Sequence, residues 1–108
     1  MISADTFILV ITTCPSQQEA ENITAALIEK RLAACVQKSE ITSTYRWQEK
    51  VECDREIKLT LKTRSDLFDK ISATIKQESS YDNPEVIAIP IQQGSPDYLE
   101  WIASETQP

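Results

Sequence analysis

Histidine is missing altogether from these 108 residues, and glycine occurs once, at Gly94. The first absence removes whole classes of chemistry. Serine-protease-like triads, two-histidine zinc sites, HExxH metallopeptidases and imidazole acid–base catalysis all need a side chain that this chain lacks. Cysteine is scarce as well. Cys14, Cys35 and Cys53 lie 21 and 18 residues apart, which matches no CxxC redox or zinc pattern. An odd number of them points to free thiols rather than a disulfide framework. Basic residues are outnumbered 11 to 17, leaving a net charge of −6. With no basic stripe to displace phosphate counterions, nucleic acid is not expected as a partner. The same sign disfavours anionic membrane surfaces and mildly favours cations. No apolar run approaches the roughly 20 residues of a membrane span. The longest, residues 7–11, follows no basic region with a cleavage site, so no signal peptide is read and cytoplasmic residence is expected.

Leu, Ile, Val and Phe make up 26 of the 108 residues, half of them Ile. That is above the roughly 20% below which disorder sets in. It also leans towards sheet, because Ile is stiff at its first side-chain torsion and suits a pleated strand. One domain over residues 1–108 is expected from the length. Residues 6–13 form a continuous run of strand formers, the pattern of a strand buried on both faces. Ser16-Gln17-Gln18-Glu19 reads as a capping box, with Glu19 reaching back. Ala20, Ile23, Leu27 and Arg31 follow at helical spacing, which predicts a helix over residues 16–33 with the Arg31 stem covering apolar surface.

Strand character returns through Cys35-Val36 and residues 41–47, and residues 57–63 alternate apolar and polar without a break. Gln48-Glu49-Lys50 supplies the turn between them. Two strands of about 14 residues at roughly 3.3 Å each reach on the order of 45 Å, so the hairpin must overhang a domain this small. Exposed edges of that kind are covered or used for assembly, and assembly is expected here. Ser65 is read as the cap of a second helix with Phe68, Ile71 and Ile75 on one face. Residues 79–84 read as a loop and residues 86–91 as a last strand, which Pro90 confines to an edge or a bulge. Ser95-Pro96-Asp97 opens a short terminal helix. The order βαββαβ plus a small helix is an α+β, ferredoxin-like split βαβ arrangement, with an antiparallel sheet and its helices on one face.

Six stretches then stand in a telling order: Thr12-Thr13-Cys14-Pro15, Leu32-Ala33-Ala34-Cys35-Val36, Ile41-Thr42-Ser43-Thr44-Tyr45-Arg46-Trp47, Leu61-Lys62-Thr63-Arg64, Tyr81-Asp82-Asn83-Pro84-Glu85-Val86 and Tyr98-Leu99-Glu100-Trp101-Ile102. Together the sequence resembles the CutA divalent-cation tolerance family over about residues 6–102. The resemblance implies a ferredoxin-like fold, a homotrimer, cytosolic residence, a non-enzymatic role in the response to metal ions, and an association with copper and other divalent cations. No cofactor is implied as obligatory. The trimer it implies is similar to that of the PII signalling proteins, whose ligands sit in clefts between subunits. Two departures stand out. Family members often carry His-Pro before the Tyr of the fifth stretch, where this chain has Ser79-Ser80. Many members also carry Pro-Gly before the third stretch and a glycine in the hairpin turn, where this chain has Ser39-Glu40 and Glu49-Lys50, and the latter argues against a sharp primed turn.

Soft Cu(I) prefers sulfur, and with no histidine and a single methionine, Met1, the thiols of Cys14 and Cys35 are the candidate ligands. The competing reading makes both small core residues. An enzyme using Cys14 as nucleophile is disfavoured by the lack of an obvious general base beside it in sequence. Lys62, Arg64, Tyr81 and Glu85 would hold a small polar ligand if they converge at a subunit boundary, or would fix the register of an interface. Trp47 and Trp101 are expected as interface or core anchors. Glu49, Glu52, Asp54 and Glu56 are read as a solvated strand edge, with Cys53 incidental among them.

Overall fold

A computed structural model describes residues 6–108. The chain runs β1 (Phe7–Cys14), α1 (Gln17–Glu29), β2 (Cys35–Trp47), β3 (Lys50–Arg64), a 3-10 turn (Ser65–Leu67), α2 (Phe68–Glu78), β4 (Ile87–Pro90) and α3 (Pro96–Glu105). The four strands form one antiparallel sheet in the order β2-β3-β1-β4. This is the expected split βαβ topology, with β4 at the edge. Pro90, which has no N–H to give a ladder, therefore sits where none is asked of it.

Register explains the core. On one sheet face Ile8, Val10, Thr12 and Cys14 stand opposite Thr63, Leu61, Leu59 and Ile57, and all eight are buried. Ile23 and Leu27 of α1 and Ile71 and Ile75 of α2 close over that face, each with no exposed surface. Each such side chain contributes about 1.5–3 kcal/mol of burial. The opposite face carries only α3 (Pro96–Glu105) among the described helices, at the Lys62–Arg64 end of β3. Leu9 and Ile11 there pair with Ile89 and Ile87, which remain 43% and 48% exposed. Phe7 and Ile102 are buried outside the helix-side cluster, at the end where α3 meets β3.

The hairpin overhangs as its length requires. The molecule measures 47 × 26 × 22 Å, and its radius of gyration of 14.5 Å exceeds the roughly 13 Å of a compact domain this size. Tyr45, Trp47 and Val51 near its tip are 40%, 41% and 63% exposed.

Four local expectations are corrected. The first helix ends at Glu29 rather than near residue 33, because Arg31 adopts a left-handed φ of 56° that no helix continues. Ser16 caps it, accepting from the Glu19 amide at 3.2 Å, but the Glu19 carboxylate turns away to accept from the Ser80 amide at 3.1 Å. The second helix enters through the 3-10 turn with no side-chain cap from Ser65; the Asp66 carboxylate pairs instead with Arg64. The hairpin turn is a sharp two-residue one after all. Gln48 and Glu49 both take positive φ, 52° and 67°, between paired Trp47 and Lys50. That is the type I′ signature, formed here without glycine because the twist of two long strands favours it.

Candidate functional site

The projecting half of the hairpin from Glu56 out to Trp47, the loop of residues 80–85 and the end of β1 line an open cleft of about 640 Å³. Two phenol–carboxylate pairs organise it. Tyr81 donates its hydroxyl to Glu56 Oε2 at 2.6 Å, and Tyr45 donates to Asp54 Oδ2 at 2.6 Å. Glu56 lies on the sheet face away from α1 and α2, yet it is only 8% exposed, because the loop after α2 folds over it. Burial, with the Glu56 hydrogen bond second, holds the Tyr81 phenol well above its ordinary range. The Asp54 hydrogen bond pushes the Tyr45 phenol up to about 12. Both phenols are therefore donors across the physiological range. Glu85, Asp82 and Trp47 complete the wall, and among the described residues no lysine or arginine lines it. The cleft is thus a groove of hydroxyls and carboxylates beside one large indole.

Of the anticipated ligand group, Tyr81 and Glu85 share this cleft, while Lys62 and Arg64 do not. Lys62 and Arg64 lie six and eight residues beyond Glu56 on β3, about 20 Å or more along the strand. Lys62 Nζ sits 5.4 Å above the Tyr98 ring. Arg64 makes a bidentate pair with Asp66, 3.0 and 3.1 Å, and donates to Thr106 Oγ1 and Gln107 O. Within one chain the four residues split into a cleft pair and a pair that fastens α3.

The thiols are also apart. Cys14 faces the helix-side core opposite Ile57, whereas Cys35 faces the other way opposite Lys62, five residues further along β3. Opposite faces of a sheet and a separation of about 17 Å along it keep them from sharing an ion. Cys14 has no exposed surface. Burial, then the Glu19 carboxylate, pushes its thiol up to about 11. Its sulfur lies 3.8 Å from Ser16 O and 3.7 Å from Ile57 O, weak S–H donations of a core thiol. Cys35 is half-buried and Cys53 exposed. No group of three or more cysteine, aspartate or glutamate side chains suited to a metal ion occurs among the described residues; Met1 lies outside them. Trp47 and Trp101 are 41% and 40% exposed. Trp101 stacks on Tyr98 at 5.4 Å.

Sequence reasoning missed Glu56, assigned to a solvated edge, and the Tyr45–Asp54 pair. Period two does place Glu56 on the wetter face with Lys58 and Thr60. Its burial comes from a loop about 25 residues later, which no local pattern announces.

Fold and cleft together define a class: an open-faced α+β protein of ferredoxin-like topology whose polar groove runs along a projecting hairpin. Residues 8–105 match the family model described as CutA1 divalent ion tolerance protein, and the chain belongs to that family. It is 41% identical over 99 residues to the divalent-cation tolerance protein CutA of Thermus thermophilus, covering 91% of this chain and 96% of that one. It is 42% identical over 96 residues to protein CutA of Mus musculus, covering 88% of this chain but 54% of the mouse protein; the chain spans about half the length of its mammalian relatives. The solved structure of the periplasmic divalent cation tolerance protein CutA from Archaeoglobus fulgidus superposes with a TM-score of 0.91 at 38% identity, covering 94% of this chain and 99% of that one. No helix among the described residues is long and apolar enough to cross a membrane.

Proposed function

We propose that this chain is a non-enzymatic, cytoplasmic divalent-cation tolerance protein that works as a homotrimer and binds copper weakly. One observation carries the assembly: the hairpin leaves Tyr45, Trp47 and Val51 exposed on a 47 Å molecule whose second sheet face also shows Ile87 and Ile89. Among the described residues of a single copy no layer covers these surfaces, and three copies sharing hairpins and open faces supply one. Trp47 and Trp101 then become interface anchors of the kind that remove most area from water. Sedimentation at micromolar concentration tests this. A particle of three times 12.2 kDa is expected, and a stable 12.2 kDa particle overturns it.

Copper enters through single thiols. Cys14 and Cys35 each offer one soft ligand to its own environment, and one sulfur per ion gives weak binding. Cys14 must also lose a proton that burial retains. Titration of the purified protein with Cu(I) is expected to show weak saturable binding that falls in Cys35→Ser and falls less in Cys14→Ser, whose thiol has no exposed surface. Binding unchanged in both variants removes the thiols from the reading.

A second reading takes the groove as the site of a small anionic ligand held between copies, in the manner of PII signalling trimers. It is favoured by the position of Tyr81 and Glu85 in a formed cleft. It requires Lys62 and Arg64 to come from a neighbouring copy. A metabolite screen by thermal shift tests it, since a ligand that binds only the folded state raises the melting temperature; no shift removes it.

A further inference from the structure

The carbonyl end of α3 is gripped from three elements at once. Arg31 donates from Nη2 to Ser104 O at 2.7 Å and from Nε to Glu105 O at 3.3 Å. Gln107 donates its amide to Arg31 O at 2.8 Å and its Nε2 to Lys30 O at 2.8 Å. Its Oε1 accepts from Lys70 Nζ at 2.8 Å, and its backbone carbonyl accepts from Arg64 Nη1 at 2.6 Å. Thr106, 3% exposed, accepts from Arg64 Nη1 at 3.0 Å and donates to Ile102 O at 2.9 Å. Cationic side chains thus meet the negative end of the helix dipole and its orphan carbonyls.

Arg31 makes the arrangement specific. It follows the C-cap Lys30 and stands at φ 56°, the left-handed position that helices usually give to glycine. Arginine is strained there, and such strain persists where the surroundings over-determine it. Glycine would relax the backbone but could not reach Ser104 and Glu105. Beyond these bonds α3 packs chiefly on β3, burying its own Ile102 and setting Tyr98 under Lys62 Nζ, so its C-terminal end depends on the polar contacts.

We propose that Arg31 and Gln107 are positioning residues that form a clamp on the C-terminal end of α3, and that the clamp sets how often α3 lifts as a unit from the second sheet face. Through α3 it also holds the stacked Tyr98 and Trp101 where a neighbouring copy meets them; this last clause rests on the homotrimer reading above.

Hydrogen exchange of the full chain tests the clamp in Arg31→Gly and Gln107→Ala. Each variant loses two side-chain hydrogen bonds, and at about fivefold per bond α3 is expected to open roughly 30-fold more often. Amides of β1 and β3 keep their parent protection. Arg31→Gly carries a further signature: with backbone strain relieved, its global melting temperature does not fall although α3 exchanges faster. Gln107→Ala, near the chain end, serves as the second variant should Arg31→Gly disturb folding. Protection of α3 within twofold of the parent in both variants overturns the clamp. Sedimentation of the same samples separates the two ideas. Faster α3 exchange with weakened assembly supports both, whereas a monomeric parent removes the assembly clause and leaves the exchange result to decide the clamp.

Discussion

Native-state alkylation ranks the three thiols and decides whether Cys14 is a reactive group or a core side chain. Only the thiolate attacks an alkylating reagent. Cys14 is fully buried, and its thiol is pushed from 9.0 up to about 11. Two pH units leave about 100-fold less thiolate at pH 7.5 than an unperturbed thiol holds. Closed packing then multiplies that deficit, since the reagent must wait for an opening. Iodoacetamide labelling followed by peptide mass spectrometry is expected to modify exposed Cys53 first, half-buried Cys35 next, and Cys14 at least about 100-fold more slowly until denaturant is added. The shift also has a stability sign. A folded value raised above the unfolded one stabilises below pH 9 and loses that contribution as the pH climbs to about 11. Tyr45, raised to about 12 by Asp54, extends the same loss upward. Urea midpoints should therefore fall from pH 9 to 11, and less steeply in Cys14→Ala. Labelling of native Cys14 within a few-fold of Cys53 would refute the burial argument and revive a thiolate at this position.

Three further outcomes follow from individual contacts. Thr12 has no exposed surface, and its Oγ1 is buried without a partner, so Thr12→Val should stabilise by about 1 kcal/mol. Calorimetry at fixed protein concentration should show a rise of about 4 °C, and a fall would mean the hydroxyl is satisfied. Gln48→Asn with Glu49→Gly places preferred residues at two positive-φ positions and should stabilise by up to about 1 kcal/mol in denaturant titrations; a loss would argue against the type I′ turn. Tyr81→Phe strips the donor from nearly buried Glu56 and should cost about 1.5–3 kcal/mol. A double-mutant cycle with Glu56→Gln should recover part of it, and strict additivity would mean the pair is not coupled.

The strand and helix order was legible because its signals are local. The unbroken alternation of residues 57–63 fixed one face of β3, and Ser16 marked the start of α1. Pro90 sat at the edge its missing donor demands. The length of the two hairpin strands, counted at one residue rise each, was enough to forecast a reach close to the 47 Å long axis. What escaped reading depends on chain segments meeting far from where they are written. Glu56 looks like one acid among four, and only the loop of residues 80–85 makes it a buried acceptor for Tyr81. Arg31 looks like the next member of an apolar helical stripe. Its left-handed backbone and its reach to Ser104 and Glu105 are set by α3, over 70 residues later. The same limit explains the divided candidate group. Lys62, Arg64, Tyr81 and Glu85 share a chemical theme in sequence, but alternation and strand rise put the two cations at one end of β3 and the loop pair at the other. A site containing all four must therefore draw its cations from a second copy, which makes the number of chains in the particle the quantity on which the groove's chemistry turns.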